Sequence, residues 1–414
     1  MSLFHNTKFS LVLFFWFAFN IIFSVSAQDF DVPPLLVPYI SDAPEIVSRA
    51  AVLLDAETGT VLFSKNHDEE IPPASLAKLM TIHLLMREID AGRASLDEIV
   101  PVTVESWAQS QPPRSSLMFL APGQIVTLRE IILGLAVSSG NDAAVAAALR
   151  LAPTAADFAV MMTAEARRMG LSVTRFVEPS GISEDNMTTA AEFAFFCRQY
   201  LLLHPQNLTE FHSAPVFAYP MTANVPAAFR DNPRTIVQYN RNNLLKTFPG
   251  ADGLKTGYID EAGYNIALTA QRDQTRFIAV ILGAPAEAGG DRIRDADGAR
   301  LLSWAFDHFK TVRPFIGQIE NIRLWKGKAD SVELKLAHSA DFTSPLDRAG
   351  FLLFETVIPA PLIAPLPAGF HAGHLVISDE QGEVNRIPLL TAESYEKGNI
   401  FKRLWHSILL FFSR

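Results

Sequence analysis

Residues 72–81 read "PPASLAKLMT", and the apolar run continues through "IHLLM" to Met86. If the stretch is helical from Ser75, positions i and i+3 share a face, so Ser75 and Lys78 lie side by side near its first turn. Two readings of the pair are open. Either Ser75 caps the helix and Lys78 is a solvated charge, or the two are a nucleophile and its proton acceptor. The pattern S-x-x-K does not choose between them by itself.

Working outward, "AAVLLDAETGTVLFSK" (50–65) is two apolar runs around "DAETG" and predicts a β-hairpin. From about Pro73 to Phe211 the pattern is helical, as in "LREIILGLAVSSGNDAAVAAALRLA" and "ADFAVMMTAEARRMG", the last closed by Gly170. "SLDEIVPVTV" looks extended, and "APGQIVTLRE" predicts a turn entering a helix at about Thr127. After residue 250 strands return: "GYNIALTAQRDQTRFIAVILGA" is two apolar runs joined by a polar turn at Arg272-Asp273-Gln274. "DGARLLSWAFDHF" then predicts a closing helix. Strands from both ends and helices from the middle imply an α+β domain, one antiparallel sheet with helices packed on it.

Beyond about residue 312, "IENIRLWKG", "SVELKLAHS", "FLLFETVIP" and "GHLVISDEQGEVNRIPLLTA" are short strand-like pieces between turns, and predict a small all-β domain. The tail "NIFKRLWHSILLFFSR" is different. Its Ile, Leu, Phe and Trp residues recur at helical spacing, with Lys402, Arg403 and His406 mostly opposite. It is too short to cross a bilayer. Basic residues facing one way and Trp and Phe the other predict a helix lying in a membrane interface, against the alternative of a helix docked on the protein's own surface.

The chain of 414 residues is long enough for two domains, with 49% hydrophobic and 19% charged residues. Its formal net charge of −9 argues against nucleic acid as the main partner. At the N-terminus, Lys8 precedes "FSLVLFFWFAFNIIFSV" and a small-residue site at Val25-Ser26-Ala27. This predicts a signal peptide over 1–27, cleaved after Ala27, with an uncleaved anchor as the alternative. Export follows from either. Cys197 is the single cysteine, so no intramolecular disulfide can form; in "AAEFAFFCRQYLL" it reads as a small buried hydrophobe. The ten histidines show no metal-ligand spacing, and neither metal nor cofactor is expected.

Two further short stretches decide the opening question. "VSSGNDAA" contains Ser139-Gly140-Asn141, and "DGLKTGY" contains Lys255-Thr256-Gly257. Each is weak alone. In this order with Ser75 and Lys78 they form the set S-x-x-K, S-x-N, K-T-G of the β-lactamase and penicillin-binding-protein superfamily. The stretches around all three resemble the low-molecular-mass penicillin-binding proteins, in particular the D-alanyl-D-alanine carboxypeptidases. The likeness covers nearly the whole chain and is most specific over residues 50–310.

The resemblance implies a transpeptidase/β-lactamase-like domain over 28–312, a small β domain over 313–392 and an amphipathic anchoring helix over 396–414. It implies a serine-type carboxypeptidase acting on peptidoglycan stem peptides ending in D-Ala-D-Ala, inhibited by β-lactams and held on the periplasmic face of the inner membrane. By resemblance Ser75 forms the acyl-enzyme, Lys78 accepts its proton, Ser139 relays a proton to the leaving amine, and Asn141 holds the substrate amide. Lys255 and Thr256 would bind a carboxylate, Gly257 would leave room for substrate backbone, and Ser75 and Tyr258 would supply oxyanion N–H groups. A serine needs such a proton acceptor at neutral pH, and Lys78 qualifies if burial and neighbouring cations, Lys255 among them, depress its pKa. A terminal carboxylate also suits an arginine fork; Arg292 and Arg294 are the candidates in "GGDRIRDADGAR", read as a loop, and the resemblance favours Arg294.

A class A β-lactamase would carry an E-x-x-L-N stretch roughly 30 residues past the middle triplet, by the same resemblance, to hold the deacylating water. This chain has "FVEPSGI" there instead, so penicillin is expected to trap Ser75. A D,D-endopeptidase and a non-catalytic envelope scaffold remain as alternatives. The chain departs from many relatives at Arg114, where a small residue is usual, and in a slightly short segment after Asn141.

Overall fold

The computed structural model describes residues 43–412 apart from residues 288, 318 and 349, so the expected signal peptide lies outside the described residues. Strand β1 (Ala50–Asp55) is apolar almost throughout because both of its faces are covered. Ala50, Val52 and Leu54 enter one core, and Ala51 and Leu53 enter the other, as the period of two requires. β1 turns back into β2 (Val61–Lys65), which gives the expected hairpin.

Helix α1 (Lys78–Asp90) follows. A two-stranded ribbon of β3 (Ile99–Val100) and β4 (Val126–Thr127) leads to α2 (Leu128–Leu133). Thr127 caps α2: its side chain accepts from Glu130 N–H while Glu130 bonds back to Thr127 N–H. Then come α3 (Asn141–Leu151), α4 (Ala155–Arg168) and α5 (Ala190–Leu203). A second ribbon of β5 (Val216–Tyr219) and β6 (Ile236–Tyr239) and the short α6 (Leu244–Thr247) complete the helical middle.

The chain returns to the sheet through β7 (Ala251–Ile259), β8 (Gly263–Arg272) and β9 (Thr275–Ala284), and closes with α7 (Gly290–His308). The sheet is antiparallel with order β2-β1-β9-β8-β7. One face packs on the helical middle, where Leu76, Leu79, Ile131 and Phe193 lie. The other packs on α7 through Leu301, Leu302 and Ala305. The α+β expectation holds, and the last strands reached place "KTG" on the edge strand β7.

From β10 (Phe309–Val312) onward the structure is nearly all β. It comprises β11 (Ile322–Trp325), β12 (Ser331–Val332), β13 (Leu334–Leu336), β14 (Phe342–Pro345), β15 (Leu353–Val357), β16 (Leu362–Ile363), β17 (His371–Asp379) and β18 (Gly382–Thr391). These strands bury a core of their own around Leu324, Ile377, Ile387 and Leu389. Asp55 stitches this part to the sheet: its Oδ2 accepts from Thr311 Oγ1 at 2.8 Å and Thr343 Oγ1 at 3.0 Å.

Helix α8 (Ile400–Phe412) ends the described chain. The sequence grouped His406 with Lys402 and Arg403 opposite the apolar residues, and the structure keeps His406 and Lys402 on one side of the helix. His406 is buried, its Nδ1 accepting from Lys326 N–H at 2.8 Å, and Lys402 Nζ reaches Asp330 at 2.8 Å. The polar side of α8 docks on the β-rich part, and Phe401, Trp405, Phe411 and Phe412 face outward, each more than half exposed. Among the described residues no single helix is long and apolar enough to cross a membrane.

One buried carboxylate positions a loop at the site. Asp142, in the first turn of α3, accepts from the N–H groups of Met118 and Phe119 at 2.7 Å and of Leu120 at 2.9 Å. Asp142→Ala strips three N–H groups of their acceptor, so it is expected to destabilise the fold by about 3 kcal/mol. Urea unfolding measures this, and a loss below about 1 kcal/mol would contradict the role given to Asp142.

Candidate active site

Ser75 does not cap a helix. It lies inside a single 3-10 turn, Ala74–Ala77, which runs into α1 without any side-chain cap, so the regular helix begins at Lys78 rather than Ser75. Nor is Lys78 solvated: it is fully buried. Its Nζ lies 2.9 Å from Ser75 Oγ, 2.9 Å from Asn141 Oδ1 and within hydrogen-bonding distance of the Ser180 carbonyl. The nucleophile-and-acceptor geometry is present. The turn is forced into shape from outside, since Ala74 has a left-handed φ of 50° and Gly181 packs so closely that a Cβ there would sit 1.8 Å from Ala74 O.

The second motif sits at a break between helices. α2 widens into a π-helical turn, Gly134–Ser138, and Ser139 then takes a left-handed φ of 58° before α3 starts at Asn141. Such breaks re-aim side chains. Ser139 Oγ accepts from Lys255 Nζ at 2.9 Å, and Asn141 Nδ2 donates to Ser115 Oγ at 3.1 Å. Asn141 therefore touches the first motif through its oxygen and the 113–116 loop through its nitrogen.

The third motif lies on β7. Lys255 is buried and also donates to Thr256 O at 2.8 Å. Gly257 passes so near the Ser75 turn that a Cβ would meet Pro73 O and Ser75 N, each at 3.0 Å. Any larger residue would push the edge strand off the Ser75 turn. A recess of about 460 Å³ opens here, lined by Ser75, Ser139, Thr256, Tyr258, Arg241 and Arg294 among others.

Arg294 is not on a loop. It lies in the first turns of α7, buried, with Nε and a terminal nitrogen 2.9 and 2.7 Å from Asp295 Oδ1. Arg292 is exposed and takes no part in lining the recess.

Burial is the main electrostatic fact of the site. It pushes the Lys78 amine down to about 7; the Glu178 and Asp142 carboxylates oppose the shift and Arg241 adds to it. Burial, followed by the charges of Lys78, Arg241 and Arg294, also holds Lys255 well below the usual lysine range. The sequence named burial and neighbouring cations, Lys255 among them, as what would depress Lys78; burial is the larger cause, and the cation that adds to it is Arg241. The hydrogen bonds suit a neutral Lys78. Two of its neighbours, Asn141 Oδ1 and the Ser180 carbonyl, only accept, so two N–H bonds point there. The lone pair is left for the hydroxyl of Ser75.

Several contributors were invisible in the sequence. The Ser180 carbonyl is a backbone group, and it is placed by Glu178. That carboxylate accepts from Ser180 N–H at 2.7 Å, Ser180 Oγ and Gly181 N–H at 2.6 Å, and Asn186 Nδ2 at 2.7 Å. Arg241 stands between Asn240, bonded to Ala214 O, and Asn242, bonded to Gly253 O, which fix its turn beside β7. "NRN" carries no spacing signal that would have revealed this. A histidine–carboxylate pair does exist, His83 with Glu165 at 2.8 Å, but it is buried farther along α1 and lines no part of the recess.

Comparison with known proteins gives the family. Residues 38–286 match the D-alanyl-D-alanine carboxypeptidase family, peptidase S11. The chain is 32% identical over 398 residues to D-alanyl-D-alanine carboxypeptidase DacD of Escherichia coli, covering 94% of this chain and 95% of that protein. A D-alanyl-D-alanine endopeptidase of Pseudomonas aeruginosa is 29% identical over 263 residues, covering 63% of this chain and 77% of that one. The crystal structure of penicillin-binding protein 5 from Haemophilus influenzae superposes with a TM-score of 0.76 at 26% identity, covering 86% of this chain and 99% of that one. The chain belongs to the peptidase S11 family of D-alanyl-D-alanine carboxypeptidases.

Proposed function

We infer that the protein is a serine-type D-Ala-D-Ala carboxypeptidase that removes the terminal D-alanine of peptidoglycan stem pentapeptides. The observation that carries this reading is the Lys78 amine, dry and 2.9 Å from Ser75 Oγ, with both of its other neighbours acceptors. Ser75 attacks the carbonyl of the penultimate D-alanine, and Lys78 takes the hydroxyl proton. The N–H groups of Ser75 and Tyr258 face the developing oxyanion. The leaving D-alanine amine takes a proton from Ser139 Oγ, itself bonded to Lys255 Nζ, and Ser139 regains one from the Lys78 ammonium, which returns Lys78 to its neutral form. Thr256, Arg241 and Arg294 face its carboxylate, a planar anion that a guanidinium fork suits. Water then attacks the ester with Lys78 again as base.

Penicillin acylates the same serine. Both oxygens of Glu178 are occupied by donors of its own loop, so this carboxylate is not arranged to hold a water against the ester, and the penicilloyl-enzyme should be long-lived. The coverage of the carboxypeptidase relative, which extends past residue 286 through the β-rich part, favours carboxypeptidase over endopeptidase.

The mature protein would be exported and peripheral on the periplasmic face of the inner membrane. α8 supports this, because it docks by polar contacts and turns its aromatic side outward.

Wild-type protein should release free D-alanine from a pentapeptide ending in D-Ala-D-Ala, and Ser75→Ala should release none. Cleavage of cross-linked dimers in place of the pentapeptide would instead support the endopeptidase. Removal of residues 398–414 should shift the protein from membrane to soluble fractions and keep penicillin labelling; a truncated form that still sediments with membranes would remove α8 as the anchor.

A further inference from the structure

Farther along α1 from Lys78 lies a second cluster of titratable groups, which the proposed reaction does not use. His83, and His204 at the end of α5, are both fully buried. His83 Nε2 lies 2.8 Å from Glu165 Oε1 in α4, and His83 Nδ1 lies 3.0 Å from His204 Nε2. His204 Nδ1 stands 3.2 Å from Asp90 Oδ2, the last residue of α1, but is not aligned for a hydrogen bond. The two rings thus bridge three helices.

Counting hydrogens along this bridge is decisive. Each of the three contacts needs one. Glu165 supplies none, because Arg168 donates to its two oxygens at 2.6 and 2.8 Å and Arg87 donates to it as well. Burial raises its pKa, but the bonds from Arg168 and His83 outweigh this and hold it at about 2. A neutral imidazole carries one N–H. Two neutral rings therefore fill the contacts Glu165–His83 and His83–His204 and leave His204 Nδ1 bare, as observed. One added proton goes to that nitrogen and completes the bond to Asp90. A second has no place: His83 Nδ1 and His204 Nε2 would each carry a hydrogen pointed at the other across 3.0 Å.

The surroundings give no relief. Phe196 and Tyr200 of α5 wall the rings, with centroids 6.1 and 6.4 Å from that of His83. The Tyr200 hydroxyl is engaged by His212 Nε2 at 2.6 Å and Asn207 Nδ2 at 2.8 Å. The charges facing the pair are Glu165 and Arg168 from α4 and Asp90 and Arg87 from α1. They balance, so no net negative charge draws in a second proton. Burial, followed by the charge of His83, pushes His204 down to about 4 against the pull of Asp90.

We propose that His83 and His204 form a one-proton latch closing α1 on α4 and α5, which mild acid fills and stronger acid opens because the folded pair has no place for a second proton. In the unfolded chain each ring takes its own proton near the ordinary histidine value. The unfolded state therefore binds more protons as pH falls from about 6.5 toward 4, and stability is lost over that window. Each excess proton raises the unfolding constant about tenfold per pH unit. The helix released is the one that begins at Lys78.

Histidine-labelled wild-type protein tests the count directly, with the ring nitrogens followed by NMR from pH 8 to 5. The two rings should take up one proton between them while the protein stays folded. Uptake of two, or of none, in folded protein would overturn the latch. Urea unfolding at pH 7.5 and 5.5 gives a second reading, wild type beside His204→Gln, whose amide can donate to His83 without titrating. Buried His212 is present in both, so its own contribution cancels. The wild-type unfolding constant should rise about tenfold more than that of the variant between the two pH values. An equal rise in both would overturn the proposal.

Discussion

The structure depends on keeping one lysine amine out of water. Lys78 lies where the Ser75 turn, the Ser139–Asn141 break and the Ser180 loop meet, and each contributes one atom to its amine or to the partner of that atom. Burying an ammonium is costly unless it is compensated or loses its proton. On the proposed mechanism the shift toward a neutral amine is the useful outcome, because a neutral amine can accept the proton of Ser75. The surrounding architecture reads as the means of holding that desolvated point. It explains why the helical middle is so apolar, and why Gly181 and Gly257 allow two backbones to press against the Ser75 turn.

Carboxylates, Asp142 and Asp297 buried and Glu178 half-buried, act as struts rather than as chemical groups. Asp142 gathers the N–H groups of residues 118–120, Glu178 gathers those of its own loop, and Asp297 gathers Ser48 N–H at 2.9 Å and Ser48 Oγ at 2.7 Å. Each fixes an irregular segment that has no ladder of its own. The site is thus built on loops tied to a sheet and helices through charge-assisted hydrogen bonds, which are stronger and more directional than neutral ones.

Much of this was legible in the sequence. Alternating and helical periodicities placed the hairpin, the helical middle and the returning strands, and the three short motifs marked the atoms that converge. Ser75 and Lys78 could be paired because they are three residues apart. The link to Ser139 and Lys255 came from motif order, since no local pattern brings distant residues together. What stayed hidden was of another kind. The Ser180 carbonyl is backbone, Arg241 depends on two buried asparagines in an irregular turn, and Arg294 was read as part of a loop because the glycines before it obscured the start of α7. The burial of His406 was not foreseen because periodicity shows which residues share a face and not what that face meets.

The central claim is that Lys78 is the proton acceptor for Ser75 and titrates near neutrality. The second-order rate of penicillin acylation of the free protein, followed from pH 5 to 9, tests it most directly. A lysine lowered to about 7 is protonated and inactive below that pH. The rate should therefore climb about tenfold per pH unit through the acid range and level off above neutrality. A rate independent of pH across this range, in protein that remains folded, would contradict it.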